Sequence, residues 1–265
     1  MCAKFSQVLE RLIPEGAVKE KFKSSYYSLY YNRKHFKENN FRVYYKDGHF
    51  EYGFDEGVKF ASYENMADEL KRSLKGYLGR YALRSGDTVI DCGAYIGEFT
   101  LYAAKAVGPS GKVIAFEPDD KIYKRLLANI ELNGLKNVIP VKKGLWSSDG
   151  VMRFIGDDIR GYSFIVAEDA VGTVDVPVTS IDNELSRLGI RGVNFIKADV
   201  EGAELEFIKG AGRTLMQDNV NLAIASYHMV DGKKTCFELV KMLENLGYRA
   251  ETAHPGHLTT YARKR

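Results

Sequence analysis

The segment Val89–Thr100, which reads VIDCGAYIGEFT, constrains the fold of this chain more than any other part of its sequence. An apolar run ends at Asp91, a glycine-rich turn runs from Gly93 to Gly97, and a helix is expected from about Phe99. A strand that leads through such a turn into a helix is typical of a doubly wound α/β sheet, in which ligands bind beyond the carboxyl ends of the strands. Gly93 lets the backbone approach a ligand because it has no Cβ, and Gly97 lets the helix pack closely on the strand.

The sequence after residue 86 alternates between short apolar strands and helical segments. The clearest helix is Asp119–Asn133, which has apolar side chains on one face and is closed by Gly134. Strands that are separated by helical crossovers form a parallel sheet. Strands of this sheet are predicted at Thr88–Asp91, Lys112–Phe116, Asn137–Val141, Val193–Ala198 and Asn221–Ser226. Further elements are predicted as a strand or hairpin at Val171–Ser180, a helix near Lys233–Leu246 and two final strands at Arg249–Glu251 and Leu258–Ala262.

Residues 1–82 have a different character, because they are rich in tyrosine and phenylalanine. Between Phe22 and Phe60 lie 13 of the 32 aromatic residues of the chain. Asp47-Gly48 is a favoured hairpin turn between two aromatic strands, and Met66, Leu70, Leu74 and Leu78 recur at helical spacing. We therefore expect a small α+β extension over residues 1–82 that covers an acceptor site, and a ligand-binding domain over residues 83–265. The alternative is that these aromatics only fill a small core of their own.

Composition and charge limit the class of protein. The chain has 265 residues, of which 45% are hydrophobic and 28% are charged, as in ordinary globular proteins. No apolar run approaches the ~20 residues needed to span a bilayer, and the first residues lack the apolar core of a signal peptide. The three cysteines (Cys2, Cys92 and Cys236) show no metal-ligand spacing and no disulfide framework. We therefore expect a reducing, cytoplasmic setting.

Two acidic residues at the ends of adjacent strands indicate which ligand the sheet binds. The dinucleotide fingerprint G-x-G-x-x-G fails here, because its first position would fall on Asp91 and its last on Ile96. A carboxylate at the mouth of the loop repels a pyrophosphate but favours the ammonium and sulfonium groups of S-adenosylmethionine. Glu117 ends the next strand, where an acidic residue can accept both ribose hydroxyls of an adenosine. Asp91 and Glu117 together therefore predict an S-adenosylmethionine site.

A second group of polar residues follows the predicted strands Val193–Ala198 and Asn221–Ser226. Asp199 and Glu201 could contact the amino group of the cofactor, orient the acceptor or bind a divalent metal, and the alternative is that they cap a helix N-terminus. We assign no metal ligands from the sequence. His228 could remove a proton from an acceptor hydroxyl, because an unperturbed imidazole has a pKa of ~6.5. The alternative is a structural histidine.

Beyond these individual residues, the sequence resembles the FkbM family of methyltransferases. The resemblance covers roughly residues 86–230, and its most diagnostic run is DVEGAEL, which begins at Asp199. It implies a class I methyltransferase fold, S-adenosylmethionine as cofactor and O-methylation of small or sugar-like hydroxyls. One departure is Ser226, which stands where many members have a glutamate. The matching segments are Gly86–Thr100, Val113–Pro118, Asn129–Val138, Val178–Leu185 and Ile196–Gly210.

We therefore expect an α/β protein of the Rossmann-like class I methyltransferase type, with a doubly wound, mostly parallel sheet and a small aromatic-rich N-terminal α+β extension. The expected catalytic residues are His228, Asp199 and Glu201. The expected cofactor-binding residues are Asp91, Gly93, Ala94, Gly97, Glu117, Gly144, Leu145 and Trp146, of which the last three would pack the adenine.

The expected acceptor is a small molecule or a glycan. An RNA methyltransferase is the first alternative, because residues 1–50 carry ten Lys/Arg against five Asp/Glu and many tyrosines, which could neutralise phosphates and stack bases. No Asn/Asp-Pro-Pro-Tyr/Phe run and no Pro-Cys pair is present to support this alternative. A non-catalytic protein that only binds S-adenosylmethionine is the second alternative.

Overall fold

The computed structural model describes residues 17–34, 41–46, 48–54, 57–156, 163–165 and 173–264. The chain divides into two compact units, residues 1–71 and residues 72–265. The sequence predicted a boundary at residue 82, between an extension that covers the acceptor site and a ligand-binding domain. This assignment of roles stays a prediction. Among the described residues, no helix is both long enough and apolar enough to cross a membrane.

The first unit contains a helix and a small antiparallel sheet. Its elements are α1 (Ala17–Lys34), β1 (Phe41–Lys46), β2 (His49–Phe54), β3 (Lys59–Ser62) and the first part of α2 (Ala67–Tyr77). The strands are ordered β1-β2-β3, and Val43, Tyr52 and Phe60 are fully buried. The predicted hairpin between β1 and β2 is confirmed by their antiparallel register, although Asp47 lies outside the described residues. The predicted helix over Met66–Leu78 is confirmed by α2.

The second unit is built on a seven-stranded sheet ordered β15-β16-β12-β11-β4-β5-β6. The strands from β12 to β6 are parallel, whereas β16 runs antiparallel to both of its neighbours. All residues of β11 and nearly all of β4, β5 and β12 are buried, because helices cover both faces of the sheet. The strands are β4 (Thr88–Cys92), β5 (Lys112–Phe116), β6 (Val138–Val141), β11 (Phe195–Ala198), β12 (Asn221–Ala225), β15 (Tyr248–Ala253) and β16 (Thr259–Lys264).

Along the chain, most helices of this unit connect strands of the large sheet. Asp119 caps the helix Asp120–Leu132, since its side chain accepts hydrogen bonds from the backbone N–H groups of Lys121 and Ile122. The helices are α3 (Glu98–Val107), α4 (Asp120–Leu132), α5 (Ile181–Arg187), α6 (Glu204–Lys209), α7 (Gly212–Leu215) and α8 (Cys236–Asn245), with a short 3-10 turn at Pro255–His257.

Two smaller sheets complete the second unit. The first is ordered β7-β10-β8-β9, from β7 (Gly144–Leu145), β8 (Gly150–Gly156), β9 (Ser163–Ile165) and β10 (Thr173–Thr179). The second is a hairpin of β13 (Met229–Val230) and β14 (Lys233–Lys234). It begins directly after His228, in the segment that follows β12.

The predicted parallel sheet is confirmed, with every one of its five strands in place. The predicted strand at Val171–Ser180 is confirmed as β10, except that residues 171–172 lie outside the described residues. The predicted start of the last helix at Lys233 was wrong, since Lys233 and Lys234 pair in β14 and the helix begins at Cys236. β3, β7, β8, β9, β13 and β14 were not predicted. Four of them (β7, β9, β13 and β14) have only two or three residues, which are too few to show a period.

Candidate active site

The glycine-rich turn after β4 is held in a left-handed backbone conformation. Gly93 and Gly97 have φ values of 73° and 101°, which favour glycine. A Cβ on Gly93 would lie 1.9 Å from the backbone carbonyl oxygen of Asp199, and a Cβ on Gly97 would lie 2.8 Å from the Leu126 side chain. Gly93 is therefore required by the close approach of the neighbouring strand β11, in addition to any approach by a ligand. Ala94 joins the turn to β5, since its N–H donates to the carbonyl of Phe116 at 2.8 Å.

Asp91 forms a buried ion pair with Lys197. The two side chains are 0% and 4% exposed, and Lys197 Nζ lies 3.0 Å from Asp91 Oδ1. Asp91 Oδ2 accepts a hydrogen bond from Thr100 Oγ1 at 2.5 Å, and Lys197 Nζ donates to the Gly93 carbonyl at 2.6 Å. Burial lowers the pKa of Lys197, but Asp91 and the other nearby carboxylates outweigh it and raise the pKa above its usual value. Asp91 therefore positions Lys197, and Lys197 holds the glycine-rich turn in place through the Gly93 carbonyl.

Glu117 lies immediately after β5, as predicted from the sequence, and is 5% exposed. Its Oε2 accepts a hydrogen bond from the N–H of Tyr95 at 3.0 Å, and its Oε1 accepts one from the N–H of Asp119 at 2.9 Å. Burial raises the pKa of Glu117 to about 8, although the two backbone N–H groups oppose that shift. Each carboxylate oxygen keeps a further acceptor position, since it can accept more than one hydrogen bond.

The predicted adenine-packing residues lie beyond the carboxyl end of β6. Gly144 and Leu145 form β7 and are buried, and a Cβ on Gly144 would lie 3.1 Å from Val178 and 3.2 Å from Phe154. Trp146 is half-buried and packs against the side chains of that small sheet. Glu117 is connected to the end of β6, because its N–H donates to the Val141 carbonyl at 3.1 Å.

Asp199 lies next to the glycine-rich turn and is held by two tyrosines. Its Oδ2 accepts a hydrogen bond from the Tyr77 hydroxyl at 2.6 Å, and the Tyr227 hydroxyl lies 3.3 Å from the same oxygen. The Tyr77 hydroxyl also lies 3.2 Å from Nε2 of the buried His257. Burial and then the charge of Asp199 raise the pKa of Tyr77 well above its ordinary value. Tyr77 is therefore a neutral hydrogen-bond donor that fixes the Asp199 carboxylate.

His228 lies among three carboxylates, and we call Asp199, Glu201, Glu204 and His228 the acidic cluster. Its Nε2 is 3.2 Å from Glu201 Oε2 and 3.6 Å from Asp199 Oδ1, and its Nδ1 is 2.8 Å from Glu204 Oε1. Burial lowers the pKa of His228, but the contacts with Glu201 and Glu204 and the charge of Asp199 outweigh it and raise the pKa to about 10. The sequence prediction of a proton-accepting imidazole assumed an ordinary pKa, whereas these carboxylates favour the protonated ring.

The structure brings the predicted residues to one edge of the large sheet. Asp199 meets the turn at Gly93, and its N–H donates to the Cys92 carbonyl at 2.9 Å. The sequence analysis gave no role to Lys197, Tyr77 or Glu204. A lysine inside the buried strand FIKA was a usable signal, because a buried ammonium requires a carboxylate partner. Nothing in the sequence connected Tyr77 to Asp199, from which it is separated by 122 positions.

The arrangement allows two kinds of binding. The glycine-rich turn and Glu117 present backbone groups and acceptor oxygens at one edge of the sheet, which suits an adenosine-containing cofactor. The acidic cluster lies beside it and can hold a hydroxyl-bearing molecule or a cation. Within the described residues, Asp199, Glu201 and His228 are the group that could hold a metal ion, since one ligand atom from each lies within 4.8 Å of the others.

Known proteins match this chain over the same region. The profile described as "Methyltransferase FkbM domain" matches residues 91–250. Methyltransferase sdnD of Sordaria araneosa is 31% identical over an alignment of 160 residues, which covers 48% of this chain and 61% of that protein. Hexuronic acid methyltransferase AglP of Haloferax volcanii is 31% identical over 144 residues, which are 54% of this chain and 56% of that protein. The chain thus matches little more than half the length of these relatives.

Solved structures show the same fold. The methyltransferase FkbM of Methylobacillus flagellatus aligns with a TM-score of 0.52 at 23% identity, over 70% of this chain and 45% of that one. The precorrin-6y C5,15-methyltransferase of Geobacter metallireducens aligns with a TM-score of 0.50 at 15% identity, over 80% and 96% of the two chains. The predicted class I methyltransferase fold is confirmed. The chain belongs to the FkbM methyltransferase domain family, a family of S-adenosylmethionine-dependent enzymes.

Proposed function

We propose that this chain transfers the methyl group of S-adenosylmethionine to a hydroxyl group of a small-molecule or sugar-like acceptor. The observation that carries the proposal is the position of the acidic cluster, directly beside the glycine-rich turn and just after the carboxyl ends of the adjacent strands β11 and β12. Polar side chains that accept hydrogen bonds and attract positive charge suit the binding of hydroxyl groups. The acceptor hydroxyl is a weak nucleophile, and it also needs nearby polar groups because its proton must leave as its oxygen attacks the methyl group.

Glu117 is the residue that we propose to hold the cofactor ribose. It fits that role because it lies at the end of β5, is buried, and keeps a free acceptor position on each carboxylate oxygen. Gly93, Ala94 and Gly97 would place backbone groups along the cofactor. Asp91 would support the cofactor indirectly, by stabilising the turn, because its own oxygens already bond to Lys197 and Thr100.

Trp146, with Gly144 and Leu145, is the proposed wall for the adenine. Trp146 is the only tryptophan of the chain, so its fluorescence reports on this region without substitution. We expect S-adenosylhomocysteine to change the Trp146 emission in a saturable manner. An unchanged emission at a concentration that saturates binding in calorimetry would remove Trp146 from the proposal.

The acceptor side of the reaction falls to Asp199, Glu201 and His228. When bound, S-adenosylmethionine supplies an electrophilic methyl group on a sulfonium. Tyr77 fixes the Asp199 carboxylate, so that the acceptor oxygen can be held in line with the methyl group, and this positioning accounts for much of the rate. The similarity to a hexuronic acid methyltransferase supports a sugar-like acceptor.

Residues 1–82 are the proposed cover of the acceptor site and so the source of acceptor specificity. The alternative, a small core of its own, is supported by contacts inside the first unit: the rings of Tyr52 and Phe60 lie 5.6 Å apart, and the Tyr52 hydroxyl accepts a hydrogen bond from the N–H of Met66 at 2.6 Å. Alanine at Tyr63, which is 72% exposed, tests the cover. The cover predicts a raised KM for the acceptor, whereas a purely structural role predicts no change.

The RNA alternative rests on the helix α1, whose sequence AVKEKFKSSYYSLYYNRK is basic and rich in tyrosine.

We also propose a cytoplasmic location, which the free thiols of Cys92 and Cys236 support.

The deciding experiment uses S-adenosylmethionine with a ¹³C-labelled methyl group and panels of sugars, uronic acids, small phenols and RNA. The proposal predicts S-adenosylhomocysteine formation and a ¹³C methyl signal at an O-methyl shift in one of the small-molecule panels. Labelled RNA with unlabelled sugars would favour the nucleic-acid alternative. Tight cofactor binding without any methylated product would favour the non-catalytic alternative.

A further inference from the structure

The acidic cluster has the ligand types and the spacing of a divalent-cation site. His228 Nε2 lies 3.2 Å from Glu201 Oε2 and 3.6 Å from Asp199 Oδ1. Neighbouring ligands of an octahedral ion with bonds of about 2.1 Å are about 3.0 Å apart. Both distances from His228 lie within about 0.6 Å of that spacing, and the three ligand atoms all lie within 4.8 Å of one another. The Asp199 and Glu201 side chains are 21% and 22% exposed, so an ion can enter from solvent.

The burial and orientation of His228 support a cation site, because its ring is buried and points its Nε2 towards Glu201 and Asp199. The side chain is 10% exposed, and both ring nitrogens contact carboxylates: Nε2 faces Glu201 and Asp199, and Nδ1 faces Glu204. Glu204, which is fully buried, lies 2.8 Å from Nδ1. A histidine that binds a metal through one nitrogen typically donates its other N–H to such a carboxylate, which fixes the tautomer and the ring orientation.

The charge of the cluster also requires a partner. Three carboxylates surround one imidazole, which leaves a net charge of −2 even with a protonated ring. Within the described part of the chain, the ion pairs of Asp199, Glu201 and Glu204 all involve His228, and none involves a lysine or arginine. The nearby Lys197 makes its ion pair with Asp91, although the charge of Asp199 also acts on it and helps to raise its pKa.

We propose that Asp199, Glu201 and His228 bind a divalent cation of the Mg²⁺/Mn²⁺ class, with Glu204 orienting the histidine. Two carboxylates and one imidazole suit Mn²⁺ best in this class, because carboxylates favour Mg²⁺ and Mn²⁺ while imidazole favours the transition metals. Three of six positions then stay open for water and for an acceptor.

The role of the cation in catalysis rests on the proposed function. The acceptor hydroxyl binds the cation, which lowers the pKa of that hydroxyl and favours loss of its proton to solvent. The oxygen then forms the new C–O bond as the S–C bond breaks. The electron pair of that bond stays on sulfur, which becomes a neutral thioether.

The test is a titration of the chelator-treated full chain with MnCl₂, in which electron paramagnetic resonance reports the free Mn²⁺. We expect one saturable Mn²⁺ per chain, with affinity at least tenfold weaker in Asp199→Asn and in Glu201→Gln. Glu204→Gln keeps all three ligands, and it should weaken binding by about 10–100-fold through the histidine. Glu131→Gln changes an exposed glutamate on α4 and should leave the affinity unchanged. Circular dichroism and thermal unfolding establish that each variant is folded.

Absence of saturable binding by the folded wild type would overturn the proposed site. So would equal Mn²⁺ affinity in wild type, Asp199→Asn and Glu201→Gln. The catalytic role is tested separately with the ¹³C methyl assay. Methyl transfer at the full rate in the presence of a chelator would overturn that role. Specific Mn²⁺ binding without any methylated acceptor would leave the cation site standing and reject the proposed function instead.

Discussion

Replacing Lys197 by methionine should destabilise the second unit far more than an ordinary substitution. The side chains of Lys197 and Asp91 are 4% and 0% exposed, and their charged atoms lie 3.0 Å apart. Without Lys197, Asp91 keeps its hydrogen bond from the Thr100 hydroxyl at 2.5 Å but loses its cationic partner, and the Gly93 carbonyl loses its donor at 2.6 Å. Removal of one partner of a buried ion pair costs about 3–5 kcal/mol, because a charge is left buried without compensation.

The double-mutant cycle isolates the ion pair from the loss of packing. Asp91→Asn should also destabilise the fold, whereas Asp91→Asn combined with Lys197→Met removes both charges and should cost less than the sum of the single variants. We expect a coupling free energy of about 1–3 kcal/mol.

Urea unfolding followed by the fluorescence of Trp146 is the assay, since this tryptophan lies in the second unit. If Lys197→Met lowers the free energy of unfolding by less than about 1 kcal/mol, the reasoning about an uncompensated buried charge is refuted. Strict additivity of the two single variants would equally show that the two charges do not interact.

Three further predictions concern the site. Because burial raises the pKa of Glu117 to about 8 and ribose hydroxyls favour its charged form, binding of S-adenosylhomocysteine should release a proton. Its affinity should rise between about pH 6 and pH 8 in calorimetry, and should lose this dependence in Glu117→Gln. Gly93→Ala should unfold at much lower urea than Gly134→Ala. Both positions have a positive φ, so alanine at either one costs about 1–2 kcal/mol in backbone strain. Only at Gly93 would the new Cβ also lie 1.9 Å from the Asp199 carbonyl oxygen. Tyr77→Phe removes the 2.6 Å hydrogen bond to Asp199 and should lower turnover about tenfold or more with cofactor affinity unchanged; equal turnover would contradict its positioning role.

The central sheet could be predicted because its strands are buried on both faces. Such strands are short, continuous apolar runs between helical segments, and the prediction of Lys112–Phe116 matches β5 at both ends. The positions of Asp91 and Glu117 follow from that pattern, since Asp91 lies near the end of β4, Glu117 directly follows β5, and the carboxyl ends of parallel strands meet at one edge.

The partners of the site residues could not be predicted, because they depend on packing between distant segments. Tyr77 reaches Asp199 from a helix that precedes the whole sheet. The pKa of His228 depends on Glu204, which belongs to the DVEGAEL run and was interpreted from the sequence only as part of the family resemblance. An ordinary histidine pKa was the natural assumption without knowledge of the three surrounding carboxylates.

A crystal structure with S-adenosylhomocysteine tests the central claim most directly. We predict that the ribose hydroxyls contact Glu117 and that the sulfur faces Asp199, Glu201 and His228, with space for one methyl group and one acceptor oxygen between them. A ligand bound at this edge with its sulfur directed away from the acidic cluster, or bound away from Glu117, would contradict the proposed methyl transfer at this site.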